Sequence, residues 1–283
     1  MNIGTPMHVS LDTFWALSSF VFGSMLGSFL NVVICRMPEG RSVVFPPSHC
    51  PVCGAHIRFY DNIPILSYLF LRARCRDCAH PISIRYPVIE LITACLSTAI
   101  YFKFGPTPAY AVFMVLCAAL VAIFWIDLDH MIIPDVISLN GIPVGMACSI
   151  VGWIPEMDWF TSITGFLLGG AILYVPAILY EKLRGVEGLG GGDIKLLAMM
   201  GTFIGPYGVV FVLTVSSLLG SIVGLCGMLF RGASSTTHIP FGPFLTASAV
   251  LYIFAGPAIG EWAFLVLGSW QVFLSERFLP GVF

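Results

Sequence analysis

Asp193 closes the run Gly190-Gly191-Gly192-Asp193 directly before the apolar stretch Ile194 to Ile204, in a chain of which only 10% of residues are charged. A carboxylate beside hydrocarbon costs about 2.5 to 3.5 kcal/mol on insertion scales unless it is solvated, paired or protonated. Asp127 poses the same problem, because it ends the apolar stretch Ala109 to Ile126 and opens Asp127-Leu-Asp129-His130. Two acids at the mouths of apolar segments point to a dyad. One carboxylate acts as base towards a water while the other, protonated, polarises a scissile carbonyl, so a peptide bond is hydrolysed without a metal or a nucleophilic side chain. Such chemistry needs the two groups close enough for their titrations to couple. The glycines before Asp193 let an extended backbone approach closely and leave the acid near the free N–H groups of a helix start.

Blander readings stand beside these. Asp193 is equally suited to cap a helix, and Asp127 to sit in a solvated turn with Asp129, His130 and Asp135. Asp129 and Asp135 are rivals for the catalytic role, although Asp135, after Pro134, reads as a helix N-cap and Asp129 as a supporting acid. Lys195 and Glu187 flank the glycine loop, where they are placed to pair with a substrate, to pair with an acid, or to anchor the interface.

A second constellation is Cys50-Pro-Val-Cys53 followed, after 21 intervening residues, by Cys75-Arg-Asp-Cys78. Two C-x2-C knuckles at this separation can close a tetrahedral thiolate site. Zn²⁺ is the expected ion for a structural role, with iron the other metal that accepts four thiolates. A redox pair system is the competing reading. His49, His56 and His80 lie beside the knuckles and read as surface residues. Cys35, Cys95, Cys117, Cys148 and Cys226 fall singly in or beside apolar spans and read as small buried hydrophobes.

The elements that must position these residues follow from composition. With 58% hydrophobic residues over 283 positions and a mean hydropathy of +0.93, most of the chain must be solvated by lipid. Stretches long enough to span can be read near 14–35, 86–103, 109–126, 136–154, 161–180, 206–230 and 240–259, with a short eighth at 194–204 joined to its neighbour through Gly205-Pro206 as a tight hairpin or a partly re-entrant segment. The expectation is an all-α polytopic membrane protein of about eight transmembrane helices with a small insert between the first two. The corresponding divisions are a first transmembrane segment 1–35, an insert 36–84, a transmembrane core 85–260 and an apolar tail 261–283 that reads as an interfacial helix.

The first apolar segment lacks a basic n-region and is expected to stay in the mature protein. Of 13 Lys plus Arg, Arg36, Arg41, Arg58, Arg72, Arg74, Arg76 and Arg85 surround the insert, which the positive-inside rule puts in the cytoplasm. Eight crossings then turn Asp127 and Asp193 to the same side. Lys103 is the exception, read as a snorkelling residue. Cytoplasmic thiols stay reduced, which disfavours structural disulfides, and a 49-residue insert gains from a metal the folding free energy that its small core lacks. The net charge of −2 provides no basic surface for nucleic acid.

In combination these motifs closely resemble the bacterial type IV prepilin peptidases, the bifunctional leader peptidases and N-methyltransferases of pilus and type II secretion systems. Gly27-Ser28-Phe29-Leu30-Asn31 leading to Arg36-Met37-Pro38, Asp61-Asn62-Ile63-Pro64 with Ser67, and Arg85-Tyr86-Pro87 with Glu90 follow the family's order. So do Asp127 to Pro134, the Gly-x-Gly-Asp ending in Asp193, and Ile239-Pro240-Phe241-Gly242-Pro243-Phe244. The resemblance implies aspartyl peptidase chemistry by Asp127 and Asp193, and it selects Asp127 over Asp129. It further implies prepilin or pseudopilin substrates with a short basic leader, cut at the cytoplasmic face of the bacterial inner membrane before an apolar helix. It also implies methylation of the new N-terminus with S-adenosylmethionine, in which the insert takes part. No glycine-rich donor fingerprint is present, so no residue is assigned to that cofactor.

One departure stands out. Relatives of this type commonly carry Leu-x-Gly-Arg-Cys before the second knuckle, and this chain has Leu71-Arg72-Ala73-Arg74-Cys75. If the position requires a positive φ, the extra methyl is strained, which bears on methyl transfer more than on cleavage. The readings that compete with the bifunctional enzyme are therefore a peptidase without effective methyl transfer and, from another class, an ion- or proton-coupled transporter with a zinc-ribbon regulatory insert. Against the transporter, the acids lie at segment ends and no inverted repeat of broken helices is evident.

Overall fold

The pattern of long apolar runs folds into helices throughout. The computed structural model describes residues 6–185, 190–231 and 239–256, so the tail at 261–283 and Glu187 lie outside the described residues. In chain order the helices are α1 (Pro6–Arg36), the short α2 (Leu66–Phe70) inside the insert, α3 (Arg85–Phe104), α4 (Pro108–His130), α5 (Asp135–Ile150), α6 (Trp159–Arg184) and α7 (Gly191–Arg231), followed by α8 (Gly242–Gly256). A 3₁₀ turn at Phe59–Asn62 precedes α2. Among the described residues there is no strand, only two isolated bridges inside the insert, His49 to His56 and Arg74 to Pro81.

Five helical stretches are long and apolar enough to cross a membrane, namely Leu11–Arg36, Arg85–Phe104, Pro108–His130, Trp159–Arg184 and Gly191–Phe230, and α5 and α8 are shorter apolar helices. The last long stretch is broken at Gly205, with φ 68° and ψ −179°. A positive φ there favours glycine, and Pro206 cannot supply the N–H that would continue the ladder. The chain turns so sharply that a Cβ on Gly208 would lie 2.6 Å from the Ile204 side chain. Counting the two halves of α7 separately, the described residues form eight apolar helical segments in an all-α polytopic membrane protein, with the insert between the first two membrane helices, as the hydropathy pattern predicts.

Lipid offers no hydrophobic drive for helix association, so close packing of small residues has to do that work. On α1, a Cβ at Gly27 would stand 2.7 Å from the Glu90 Cα of α3. Between α6 and α7, Gly165 meets the backbone of Gly201, and a Cβ at Gly169 would stand 2.5 Å from the Leu197 carbonyl oxygen. One apolar cluster, including Leu30, Val33, Ile89 and Ile126, joins α1, α3 and α4. A larger one, including Leu120, Ile123, Leu196, Met199 and Leu245, joins α4 to α7 and α8.

Lys103 is tied down more firmly than a snorkelling residue. Its ammonium donates to the backbone carbonyls of Ile253 and Phe254 in the last turn of α8, where the helix dipole favours a cation. The single cysteines also depart from expectation. Cys117 is buried, whereas Cys35, Cys95 and Cys226 lie on the protein's surface.

Candidate active site and metal centre

Asp127 occupies the last turn of α4. The helix ends at Met131, which takes the left-handed conformation (φ 54°, ψ 38°) and donates its N–H to the Asp127 carbonyl. Pro134 then starts α5, pushing the preceding residue towards extended backbone. The Asp127 side chain is only 5% exposed, and its Oδ2 accepts a 3.0 Å hydrogen bond from the backbone N–H of Gly242, the first residue of α8. A helix start offers unpaired N–H donors and a positive dipole end, which suit a carboxylate.

Asp193 is the third residue of α7 and half-buried, with its own N–H donating to the Gly190 carbonyl at 3.2 Å. It lies in the first turn rather than at the cap. The two carboxyl groups are within electrostatic reach of each other. Ile133 lies between the starts of α7 and α8: a Cβ at Gly192 would be 3.1 Å from the Ile133 Cβ, and one at Gly242 would be 3.3 Å from its Cδ1. The site therefore combines two carboxyls from distant parts of the chain, the starts of α7 and α8, and an apolar floor. Such a pair can hold and polarise a water, with the helix N-termini favouring negative charge that develops beside it.

The glycine loop divides its tasks. Among the described residues, nothing stands where a side chain on Gly191 would be, and a Cβ at Gly190 would meet the Asp193 Oδ2 at 3.6 Å. These two leave room for close approach, whereas Gly192 is turned against Ile133 and its missing side chain serves packing.

The other acids are engaged elsewhere. Asp129 forms a 2.5 Å ion pair with Arg85, whose guanidinium also lies 4.5 Å over the Trp125 ring. Asp135 is the first residue of α5, after an N-cap position held by Pro134, and makes no cap hydrogen bond. It pairs instead with Lys195 at 2.8 and 2.9 Å. The N-cap expectation for Asp135 is thus corrected: its side chain finds a cation across the bundle and leaves the helix start. Sequence reading passed over Gly242 and Ile133 as site residues. The Ile-Pro-Phe-Gly-Pro run before an apolar helix was the available signal for Gly242, and the Ile133-Pro134 pair in the turn after the first acid was the signal for Ile133.

The four cysteine sulfurs, Cys50, Cys53, Cys75 and Cys78, all lie within 4.8 Å of one another. The Cys50 and Cys78 sulfurs are 3.8 Å apart, the edge expected of a tetrahedron with metal–sulfur bonds of about 2.3 Å. The two knuckles repeat one backbone plan. Cys50 N–H donates to the Ala55 carbonyl and Gly54 N–H to the Cys50 carbonyl; Cys75 N–H donates to His80 and Ala79 N–H to Cys75. Gly54 and its counterpart Ala79 both have positive φ, 72° and 56°. The N–H groups of Cys53 and Val52 hold the Cys50 thiol down at about 6. The His80 N–H favours the Cys78 thiolate too, but burial and the crowding Cys53 and Cys75 sulfurs push Cys78 up to about 12. Four sulfurs packed this way cannot all ionise without a cation among them, so the donor set fits a metal ion. His49, His56 and His80 are exposed and outside the cluster.

Two buried polar side chains dock the insert onto the bundle: Arg36 donates to the Ser42 and Pro46 carbonyls, and Glu90 accepts the Ile65 N–H at 2.7 Å. A third, Asn31, ties α1 to α3 by donating to the Tyr86 carbonyl. Inside the insert Arg76 forks onto Asp61 at 2.8 and 2.5 Å. Ala73 has φ 58° and Arg72 φ 51°.

Two family models match the chain: the bacterial peptidase A24 N-terminal domain over residues 21–104 and the type IV leader peptidase family over residues 114–225. Among curated proteins, a prepilin leader peptidase/N-methyltransferase of Aeromonas hydrophila is 36% identical over 267 residues, which cover 86% of this chain and 91% of that protein. Proteins of the same name from Pseudomonas aeruginosa and Myxococcus xanthus are 35% and 38% identical, covering 87% and 92% of this chain and 92% and 79% of theirs. No solved structure matches.

Proposed function

The chain belongs to the type IV leader peptidase family, and from that premise we propose that it is an aspartyl endopeptidase that removes the short basic leader of type IV prepilins or pseudopilins. In this reading Asp127 and Asp193 are the catalytic acids, working at the cytoplasmic face of the bacterial inner membrane. The observation that carries the reading is the convergence of Asp127, from the end of α4, and Asp193, from the start of α7, on one apolar floor. Their rivals are already committed, Asp129 to Arg85 and Asp135 to Lys195. Asp127, held by the Gly242 N–H, and Asp193, with room beside it at Gly190 and Gly191, would share a water and the proton that must reach the leaving amine. Residues 85–260 form the peptidase unit, and Lys195 is a supporting residue that ties α7 to α5.

The same enzyme then methylates the exposed N-terminal amine using S-adenosylmethionine, with residues 36–84 serving that step. Zn²⁺ held by Cys50, Cys53, Cys75 and Cys78 would supply the folding free energy of this small unit. The narrower reading, cleavage without effective methylation, draws support from Ala73, which occupies a left-handed conformation that an L-residue adopts at a penalty.

The test is cleavage of a prepilin by purified protein in lipid, with mass spectrometry of the product. Asp127→Asn and Asp193→Asn each abolish cleavage while the protein remains folded and metal-loaded. A mutant that still cuts removes that acid from the dyad. An added methyl mass on the wild-type product distinguishes the bifunctional enzyme from the narrower reading.

A further inference from the structure

The insert also packs on the membrane helices. Its segment Pro64 to Leu71 reaches down the flank of α1 and α3, where Glu90 accepts the Ile65 N–H and shares its carboxylate with Ser28. The depth of that contact follows from helix length. With 20 residues and 1.5 Å per residue, α3 is about 30 Å long, the whole thickness of the hydrocarbon core. Arg85 must therefore lie at one interface and Lys103 near the other. Glu90 is five residues on from Arg85, about 7 Å below it. Ser28 stands level with it, next to Gly27, whose Cβ would be 2.7 Å from the Glu90 Cα.

A backbone segment at that depth needs partners inside the protein for its polar groups, and several are supplied here. Glu90 takes the Ile65 N–H, while Ser67 accepts the Ile63 N–H and donates to the Tyr60 carbonyl. The apolar side chains face outward: Leu66, Leu69 and Phe70 are 50%, 64% and 82% exposed. Immediately beyond them Arg72 and Ala73 turn the chain with positive φ, and Arg72 and Arg74 are exposed.

We infer that Pro64 to Leu71 is a re-entrant wedge inserted in the bilayer, with Leu66, Leu69 and Phe70 among acyl chains and Arg72 and Arg74 at the level of anionic headgroups. Exposed apolar tips next to the Glu90 contact, followed directly in the chain by exposed cations, match the apolar and headgroup layers of a membrane leaflet. The wedge would fix the height of the metal lobe over the membrane. Glu90 acts as its latch, since it holds Ile65 in an unusual conformation with φ 63°.

The experiment places trifluoromethyl-phenylalanine singly at Phe70, Leu69, Leu91 and Asp77 of the full chain, in nanodiscs of phosphatidylethanolamine and phosphatidylglycerol. Leu91 is an exposed apolar residue of α3 and Asp77 an exposed charge between two metal-site cysteines, so they serve as lipid and water references. Fluorine line broadening is read with an acyl-chain spin label and, separately, with a water-soluble gadolinium chelate. The wedge requires positions 70 and 69 to follow position 91, broadened by the lipid label and several-fold less by the chelate than position 77. Positions 70 and 69 following position 77 overturn it. So does shielding that appears only when an apolar substrate helix is added or protein concentration is raised, because the surface would then belong to a protein partner. None of these readouts depends on activity.

Discussion

Replacing Gly242 with alanine perturbs the proposed dyad without deleting any group that takes part in it. The backbone N–H that holds Asp127 remains, and only a methyl is added. That methyl carbon would stand 2.6 Å from the Asp127 Oδ2 and 3.1 Å from its Cγ, about 0.8 Å short of the 3.4 Å at which ordinary contact begins. Asp127 has little room to yield, being buried in the last turn of α4. Overpacking of this kind costs about 1 to 3 kcal/mol, and a misplacement of about 1 Å at reacting groups costs about 100-fold in rate. Prepilin cleavage by Gly242→Ala is therefore expected to fall about 10- to 100-fold in kcat, with little change in KM because the substrate's remote contacts are untouched. Two matched variants grade the effect. Gly192→Ala, 3.1 Å from the Ile133 Cβ, should lose less, and Gly190→Ala, 3.6 Å from the Asp193 Oδ2, should retain most of its activity. Methylation of a pre-cleaved substrate should be unchanged in all three. Wild-type cleavage by Gly242→Ala, or the reverse ranking, would refute the view that the start of α8 sets the position of Asp127.

Ala73→Gly relieves a left-handed alanine worth about 1 to 2 kcal/mol of strain, less about 0.5 to 1 kcal/mol for glycine's extra freedom when unfolded. The insert should gain up to about 1.5 kcal/mol, seen as slower metal loss to a chelator, and a faster loss contradicts the account. Serine at any of Cys50, Cys53, Cys75 or Cys78 should cost the bound metal by elemental analysis and abolish methyl transfer before cleavage; full metal content in such a variant would show that its sulfur is not a ligand. The Lys195–Asp135 pair is 40% and 55% exposed, so a double-mutant cycle on protein stability should return only about 0.2 to 1 kcal/mol of coupling, and a much larger value would mean that the pair is desolvated in the membrane.

What the sequence determined by itself was whatever local pattern and chemical type decide. Runs of apolar residues have to become helices in lipid because no other open structure satisfies the backbone there, so the all-α architecture and the eight segments were legible. Paired C-x2-C spacing is a local geometric code, and the four sulfurs gather as that code requires. Asp127 and Asp193 were conspicuous for a related reason: a charge bordering hydrocarbon is expensive wherever the chain goes. Tertiary structure decided which groups meet. Asp135 reads as a cap and becomes the partner of Lys195, and Lys103 reads as a snorkelling residue and closes the last turn of α8. Asp127 finds its donor at Gly242, 115 residues away. Ile133 stands out in sequence only as half of an Ile-Pro pair, and it comes to lie beside the acids only because the starts of α7 and α8 converge on the loop that carries it. Such pairings depend on how helices cross and on where small residues let backbones approach, and those are properties of two surfaces at once.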